Sequence, residues 1–462
     1  MLLGALALGL APAASSYAAT YTVCASDCNY PTIQAAIAAA SSGDIISIEA
    51  GTYYESGIDV NQNLTIQGQG ATSTIVDGGG NGIVFTIEAN YTVTIQGLTI
   101  QNGFSDNDGG GIYNNGGKLT LSQITLSGNI AIGLGGGIAN YGGTLTLSQS
   151  TLSGNSATGG GGIFNYGTAT IINSTFSDDS ASSSNGIGGA IYNVGTITLS
   201  DSTIAGNAAT YGGGIADDFG GTATVKNSIV ANSSGGGGDC YGTVTALGVN
   251  LDTDGSCGTS NFTKVTSAQL DLGALALNAP GATETMALQS GSVAIDAADC
   301  TDVAGNPVTT DQRGVTRPDN GESKCDIGAY EFVDTNTQFA SFTGKLEVAV
   351  APGVFELDSS FTLGAGSTGV NPVTEAVTLQ IGPYSVTIPA GSFNQQEQGA
   401  YVFEGVINNV SLQLRIDSVG GGSYTLQAEG HGATLTGISN PVTVTLTIGN
   451  NTGSAQINAE IG

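Results

Sequence analysis

The sequence predicts an all-β protein, a single-stranded parallel β-helix followed by an antiparallel β-sandwich-like domain. Three observations carry that expectation. First, a phrase recurs between Gly109 and Asn232: GGGI or GGAI, then an amide or acid two residues after the isoleucine (Asn114, Asn140, Asn165, Asn193, Asp217). Its isoleucines, Ile112, Ile138, Ile163, Ile191 and Ile215, follow one another at intervals of 26, 25, 28 and 24 residues. Self-similarity at such a period marks stacked supersecondary units. Second, the runs between phrases, such as LTLSQITL, TLTLSQSTL and TITLSDSTI, alternate aliphatic or β-branched residues with small polar ones. A period of two indicates strands, and no window of the repeat region shows a helical period. Third, residues 334–462 lose the repeat and carry strand-like runs from KLEVAV to VTVTLTI between Gly, Asn and Pro turns, the spacing of a sandwich.

Taken in order, residues 1–18 are apolar and small and read as a signal peptide ending at Ser16-Tyr17-Ala18. The mature protein is then secreted, with no membrane span. Residues 19–50 are expected to cap the β-helix, whose open end would expose apolar interior and unpaired strand edges. There Ile33, Ala36, Ile37 and Ala40 share a helical face, Gly43 ends the helix and Ile45–Ile48 forms a first strand. Residues 51–235 form the coils, with Leu121, Leu147, Ile171, Leu199 and Val225 stacked inside. Two polar ladders are expected among them, one through Asn114, Asn140, Asn165 and Asn193, the other through Asn129, Asn155 and Asn207. Stacked amides satisfy one another's donors and acceptors. Asp179 and Asp217 interrupt these ladders and are expected at solvated corners or accepting backbone amides, because an ionised acid is costly to bury.

The pairing of GG[A/G]I with an apolar-x-x-Asn phrase (Leu126/Asn129, Leu152/Asn155, Ile204/Asn207) resembles the repeats of polymorphic outer-membrane proteins. More broadly it resembles the right-handed parallel β-helices of the pectin-lyase-like superfamily. The string YPTIQAAI…GDIISIEAGTYYE is similar to the N-terminal cap of those proteins, pectin methylesterases among them. The resemblance implies a right-handed parallel β-helix but no single activity, since that superfamily holds lyases, glycosidases, esterases, adhesins and phage spikes. Residues 236–333, through DQRG…RP…CDIGAYE, resemble the choice-of-anchor Q module of secreted bacterial proteins. That resemblance implies a surface module closing the C-terminal end of the β-helix.

Eight Lys plus Arg against 37 Asp plus Glu give a net charge of -29, which excludes nucleic acid and anionic membranes as natural partners. Six cysteines in a secreted chain suggest disulfides, with Cys24–Cys28, Cys240–Cys257 and Cys300–Cys325 as the economical pairs. Asn250, Asp252 and Asp254, followed by Gly255, open like a calcium loop. Asn261 in place of a bidentate Glu rules out an EF-hand, and an Asp-Gly turn is the plainer reading. Arg313 and Arg317 lie close in sequence to Asp296, Asp311, Asp326 and Glu331. A basic catalytic group is one reading; a bidentate arginine–carboxylate network with Asp326 and Glu331, closing the end of the solenoid, is the expected one. Gly430-His431-Gly432, with Asp178-Asp179 or Asp217-Asp218, matches fragments of polygalacturonases, but the basic residue that family needs does not follow the triplet. No catalytic residue is therefore assigned, and no cofactor beyond calcium as a candidate ion. The expected protein is a non-catalytic, adhesive or structural β-helix of the bacterial surface that engages carbohydrate or another surface protein. The alternative is an enzyme that degrades acidic polysaccharides.

Overall fold

Each repeat folds into one coil of a parallel β-solenoid. The computed structural model describes residues 18–462 apart from 25, 27, 320–323, 334–336, 365–366, 368 and 397–398; all but the last residue of the expected signal peptide thus lies outside the described residues. The chain divides into two compact units, residues 1–332 and 333–462.

In the first unit the strand runs of successive coils pair in parallel and in register. Leu121 lies against Leu147, Leu147 against Ile171, Ile171 against Leu199 and Leu199 against Val225. A second sheet of 10 strands stacks Leu126, Leu152, Phe176, Ile204 and Val230 in the same way. These side chains form one continuous buried core. Some corners between coils admit only glycine. Gly135 has φ of +69°, and a Cβ on Gly136 would stand 2.5 Å from the carbonyl oxygen of Ser156 in the next coil. At the N-terminal end the helix Ile33–Ala39, capped by Thr32, buries Ile33, Ala36 and Ile37 over the first coils.

Both amide ladders lie inside. Asn114, Asn140, Asn165 and Asn193 are fully buried, and each Nδ2 donates to Oδ1 of the next: 2.7 Å, 2.8 Å and 2.7 Å. The last rung is Asp217, which accepts from Asn193 at 2.6 Å. In the second ladder Asn129 donates to Asn155 and Asn155 to Asp179. Asp179 is not at a solvated corner: it is fully buried, and its Oδ1 accepts both the backbone N–H and Nδ2 of Asn155. Serines make a third ladder that the sequence reading passed over. Backbone N–H groups donate in turn to Ser150, Ser174, Ser202 and Ser228, and the N–H of Ser228 donates to Asn250. Replacing Asn140 by Leu should leave the amides above and below it unsatisfied and lower stability by about 1–3 kcal/mol. Urea unfolding measures this; an unchanged midpoint would mean the ladder contributes nothing.

The three disulfides are Cys24–Cys28, Cys240–Cys257 and Cys300–Cys325. Residues 240–264 form the last strands of the solenoid, with Cys240, Cys257 and Phe262 in its core. Residues 265–332 lie along its flank. Leu270, Leu288, Ala294, Ala298 and Ile327 pack on Ala205, Ile229, Ala231 and Leu251 of the last coils. The segment then runs back as a strap over four earlier corners. Thr301 and Asp299 engage Asn227, Arg317 engages Asp201, Thr310 engages Asn173, and Thr283 engages Gln149. The physical reason is composition: the outer face of the second sheet presents Ala205, Ile229, Ala231 and Leu251 there, an apolar patch that must be covered.

The second unit contains two antiparallel sheets of 5 and 7 strands with one buried core between them. Outward residues of the larger sheet are mostly polar, with Val406 and Val419 exposed among them. Across neighbouring strands Glu404, Gln413, Glu429, Glu356, Glu347 and Glu460 stand side by side in one row.

Candidate glycan-binding face

The strand that begins at each repeat isoleucine turns its Ile and Asn inward, so the residue between them and the residue after the Asn must point outward. Those outward positions are rich in aromatic rings. One row runs Tyr113, Ala139, Phe164, Tyr192, Ala216, Tyr241; the next runs Asn115, Tyr141, Tyr166. Ala139 in the first row leaves room for the Tyr141 ring of the second. Tyr141 contacts Tyr113, Phe164 and Tyr166 with centroids 5.6, 5.2 and 6.2 Å away. Phe164 and Tyr192 are buried beneath this layer by Leu134, Ile187 and Val194. Tyr166 is 59% exposed, and Tyr211 and Tyr241, 5.2 Å apart, are each 40% exposed. Phe219, in the turn after Asp217, is 81% exposed. This is an apolar, flat-sided stripe along the coil axis.

Carboxylates border it. Asp108 accepts the hydroxyl of Tyr141 at 2.8 Å and the N–H of Leu134 at 2.6 Å. Burial first, and that hydrogen bond second, push the Tyr141 hydroxyl well above the usual phenol range. Glu88 accepts from Asn115. Asp218 follows Asp217 and, after burial, is the next influence raising Tyr192. Asp108 thus has both oxygens engaged. Glu88 and Asp218 flank opposite ends of the second row, five coils apart, or about 24 Å at one strand spacing per coil. That is beyond a paired acid and base acting on one glycosidic bond. Asp59, in register with Thr86, stands at the same end as Glu88, whose charge adds to burial in raising the Asp59 carboxyl. The face can hold a sugar chain.

The residues singled out from the sequence lie elsewhere. Asn250 turns inward and donates to the carbonyls of Leu247 and Asn261, Asp252 accepts the N–H of Cys257, and Asp254 accepts from Ser256 and Asp239. Among the described residues no group of three His, Cys, Asp or Glu side chains is placed to hold a metal ion. Arg313 pairs with Asp311 at 2.7 Å and lies 3.5 Å over the Tyr330 ring. Arg317 reaches Glu331 at 3.1 Å and Asp201, on the solenoid, at 3.3 Å, and donates to the carbonyl of Gly328 at 2.6 Å. Asp326 pairs with neither arginine and accepts the N–H groups of Asp296 and Phe332. Burial outweighs the single guanidinium of Arg317 and lifts Asp201 to about 7, Glu331 to about 8 and Asp326 to about 6. Buried carboxyls with raised pKa values can mark catalysis, but these are sealed between strap and coils, where no polymer reaches them. His431 lies 2.8 Å from Glu429 in the second unit, whereas Asp178, Asp179, Asp217 and Asp218 belong to the first. The aromatic rows were missed in the sequence because the ladder positions on either side of them drew the reading inward. The signal was the Tyr or Phe following the repeat isoleucine.

No family model matches the chain, and no curated protein matches it. Among solved structures, a pectin methylesterase mutant in complex with a hexasaccharide is 14% identical with a TM-score of 0.35, over 55% of this chain and 94% of that one. The pectin methylesterase PemA from Erwinia chrysanthemi is 15% identical with a TM-score of 0.34, over 55% and 94%. A mutant alginate lyase is 12% identical with a TM-score of 0.20, over 72% of this chain and 61% of that one. Similarity at this level bears on neither reaction nor ligand, and the solenoid stands on its own strand register. Among the described residues no helix is long and apolar enough to cross a membrane.

Proposed function

We propose that this is an extracellular, adhesive β-helix protein whose aromatic face binds an extended polysaccharide without cleaving it. The observation that carries the reading is the layered stripe of Tyr113, Tyr141 and Tyr166 on the outside of consecutive coils, with Tyr241 three coils further on. Exposed rings with two rotatable angles offer large contact area at low entropic cost and stack on the flat faces of sugars. The disulfides fit export to an oxidising compartment. Affinity electrophoresis in gels containing individual polysaccharides tests the reading. Tyr166→Ala should weaken retention by about tenfold, the loss of one central aromatic anchor. Tyr54→Ala, 82% exposed on a strand of the other sheet, should not. Equal retention of both variants would sink the assignment of the face. Release of reducing ends or unsaturated sugars by the wild-type protein would instead establish the polysaccharide-degrading alternative.

A further inference from the structure

The charge around the aromatic face says which glycan it can take. Every basic side chain of the protein can be accounted for, since there are only eight. Lys226 pairs with Asp299, Arg313 with Asp311, Arg317 with Asp201 and Glu331, and Arg415 with Asp417. The other four, Lys118, Lys264, Lys324 and Lys345, stand outside both aromatic rows. Neither row therefore contains a cation to neutralise a sugar acid; Lys118 is exposed on the same sheet three residues beyond Asn115, and the face belongs to a chain of net charge -29. A polyuronate would approach against that field and find no partner within the rows for its carboxylates.

What the face does offer suits the opposite charge. Rings with exposed faces attract ammonium groups through their quadrupole. Phe219 lies beside Asp218 at one end of the stripe, and Tyr113 lies near Glu88 and Asp108 at the other. Carboxylates beside aromatic rings at both ends of the stripe match a polymer that is flat on its sugar faces and carries amines at intervals. Resting on the reading of this face as a glycan site, we infer that its ligand is a cationic polymer of amino sugars with free ammonium groups.

Three oligosaccharides of equal length separate the possibilities by isothermal titration of the full chain: a β-1,4-glucosamine hexamer, its fully N-acetylated form and a hexagalacturonate. The free-amine hexamer should bind about tenfold more tightly than the acetylated one, with the uronate not binding at all. Raising salt from about 50 to about 500 mM should weaken only the free-amine complex, since it screens exposed charges. Asp218→Asn should reduce the preference for the amine over the acetylated hexamer. Equal binding of amine and acetylated hexamers, or tight binding of the uronate, would overturn the charge inference while keeping the glycan site. Binding of all three that survives Tyr166→Ala, or binding of none, would remove the site and the inference together.

Discussion

Arg317→Ala is expected to lower stability by about 3–5 kcal/mol at about pH 8, because it strips the one cation from a buried set of carboxyls. Asp201 on the solenoid and Glu331 on the strap both face its guanidinium, and Oδ2 of Asp201 and Oε1 of Glu331 have no hydrogen-bond partner among the described residues. The loss should shrink towards about pH 5, where these acids take up protons and stop repelling one another. The sign follows from the raised values near 7 for Asp201, 8 for Glu331 and 6 for Asp326. Their stabilising contribution is complete below the unfolded pKa of about 4 and is lost as pH rises through the folded values. Urea unfolding at both pH values, with Arg317→Met to keep the bulk of the side chain, separates charge from packing. Limited proteolysis should cut the variant within residues 279–332 first. A loss that is the same at both pH values would show that the arginine acts only by filling space.

Asp179→Asn should stabilise the protein, and increasingly so as pH rises. Asp179 is fully buried, burial lifts its carboxyl to about 8, and its Oδ2 has no hydrogen-bond partner among the described residues. At the equivalent rungs Asn129, Asn155 and Asn207 donate Nδ2 to the carbonyls of Ile100, Leu126 and Phe176 in the preceding coil. Only a protonated carboxyl can imitate that donation. Because the folded pKa is raised, the contribution of Asp179 is full below about pH 4 and disappears as pH passes about 8. The linkage puts an upper bound on the order of 5 kcal/mol on this slope. An amide removes it. Thermal unfolding from about pH 5 to about pH 9 should show the wild type losing ground to the variant; parallel curves would mean that Asp179 is ionised and solvated in the folded protein.

Much of the solenoid could be read from the chain because its contacts recur at one fixed separation. Ile112 to Ile215 and Asn114 to Asn193 declare both the coil length and which side chains face inward, since one position repeats one environment. The flank was opaque for the opposite reason. Gln312 meets Thr151 across 161 residues and Arg317 meets Asp201 across 116, and such pairings leave no periodic trace. A motif crowded with charge near the end of a repeat array suggested an end cap; the apolar patch of Ala205, Ile229 and Ala231 that fixes its place becomes visible only once the coils are stacked. The two ladder acids could not be distinguished in the sequence either. Each replaces an asparagine, but one has a rung beyond it and the other has only Gly242 in register.

That difference has an electrostatic meaning. In the ladder from Asn114 each amide donates to the next rung in the same direction along the rod, so the amide dipoles add head to tail, as peptide dipoles do in an α-helix. The positive pole of that array falls at Asn193, and the group that receives it is Asp217, a carboxyl that only needs to accept. Burial raises Asp217, and the Asn193 hydrogen bond is the first influence to oppose it. An asparagine there would add one more dipole with its hydrogens aimed at a glycine; an aspartate instead terminates the array with a countercharge and sets its polarity.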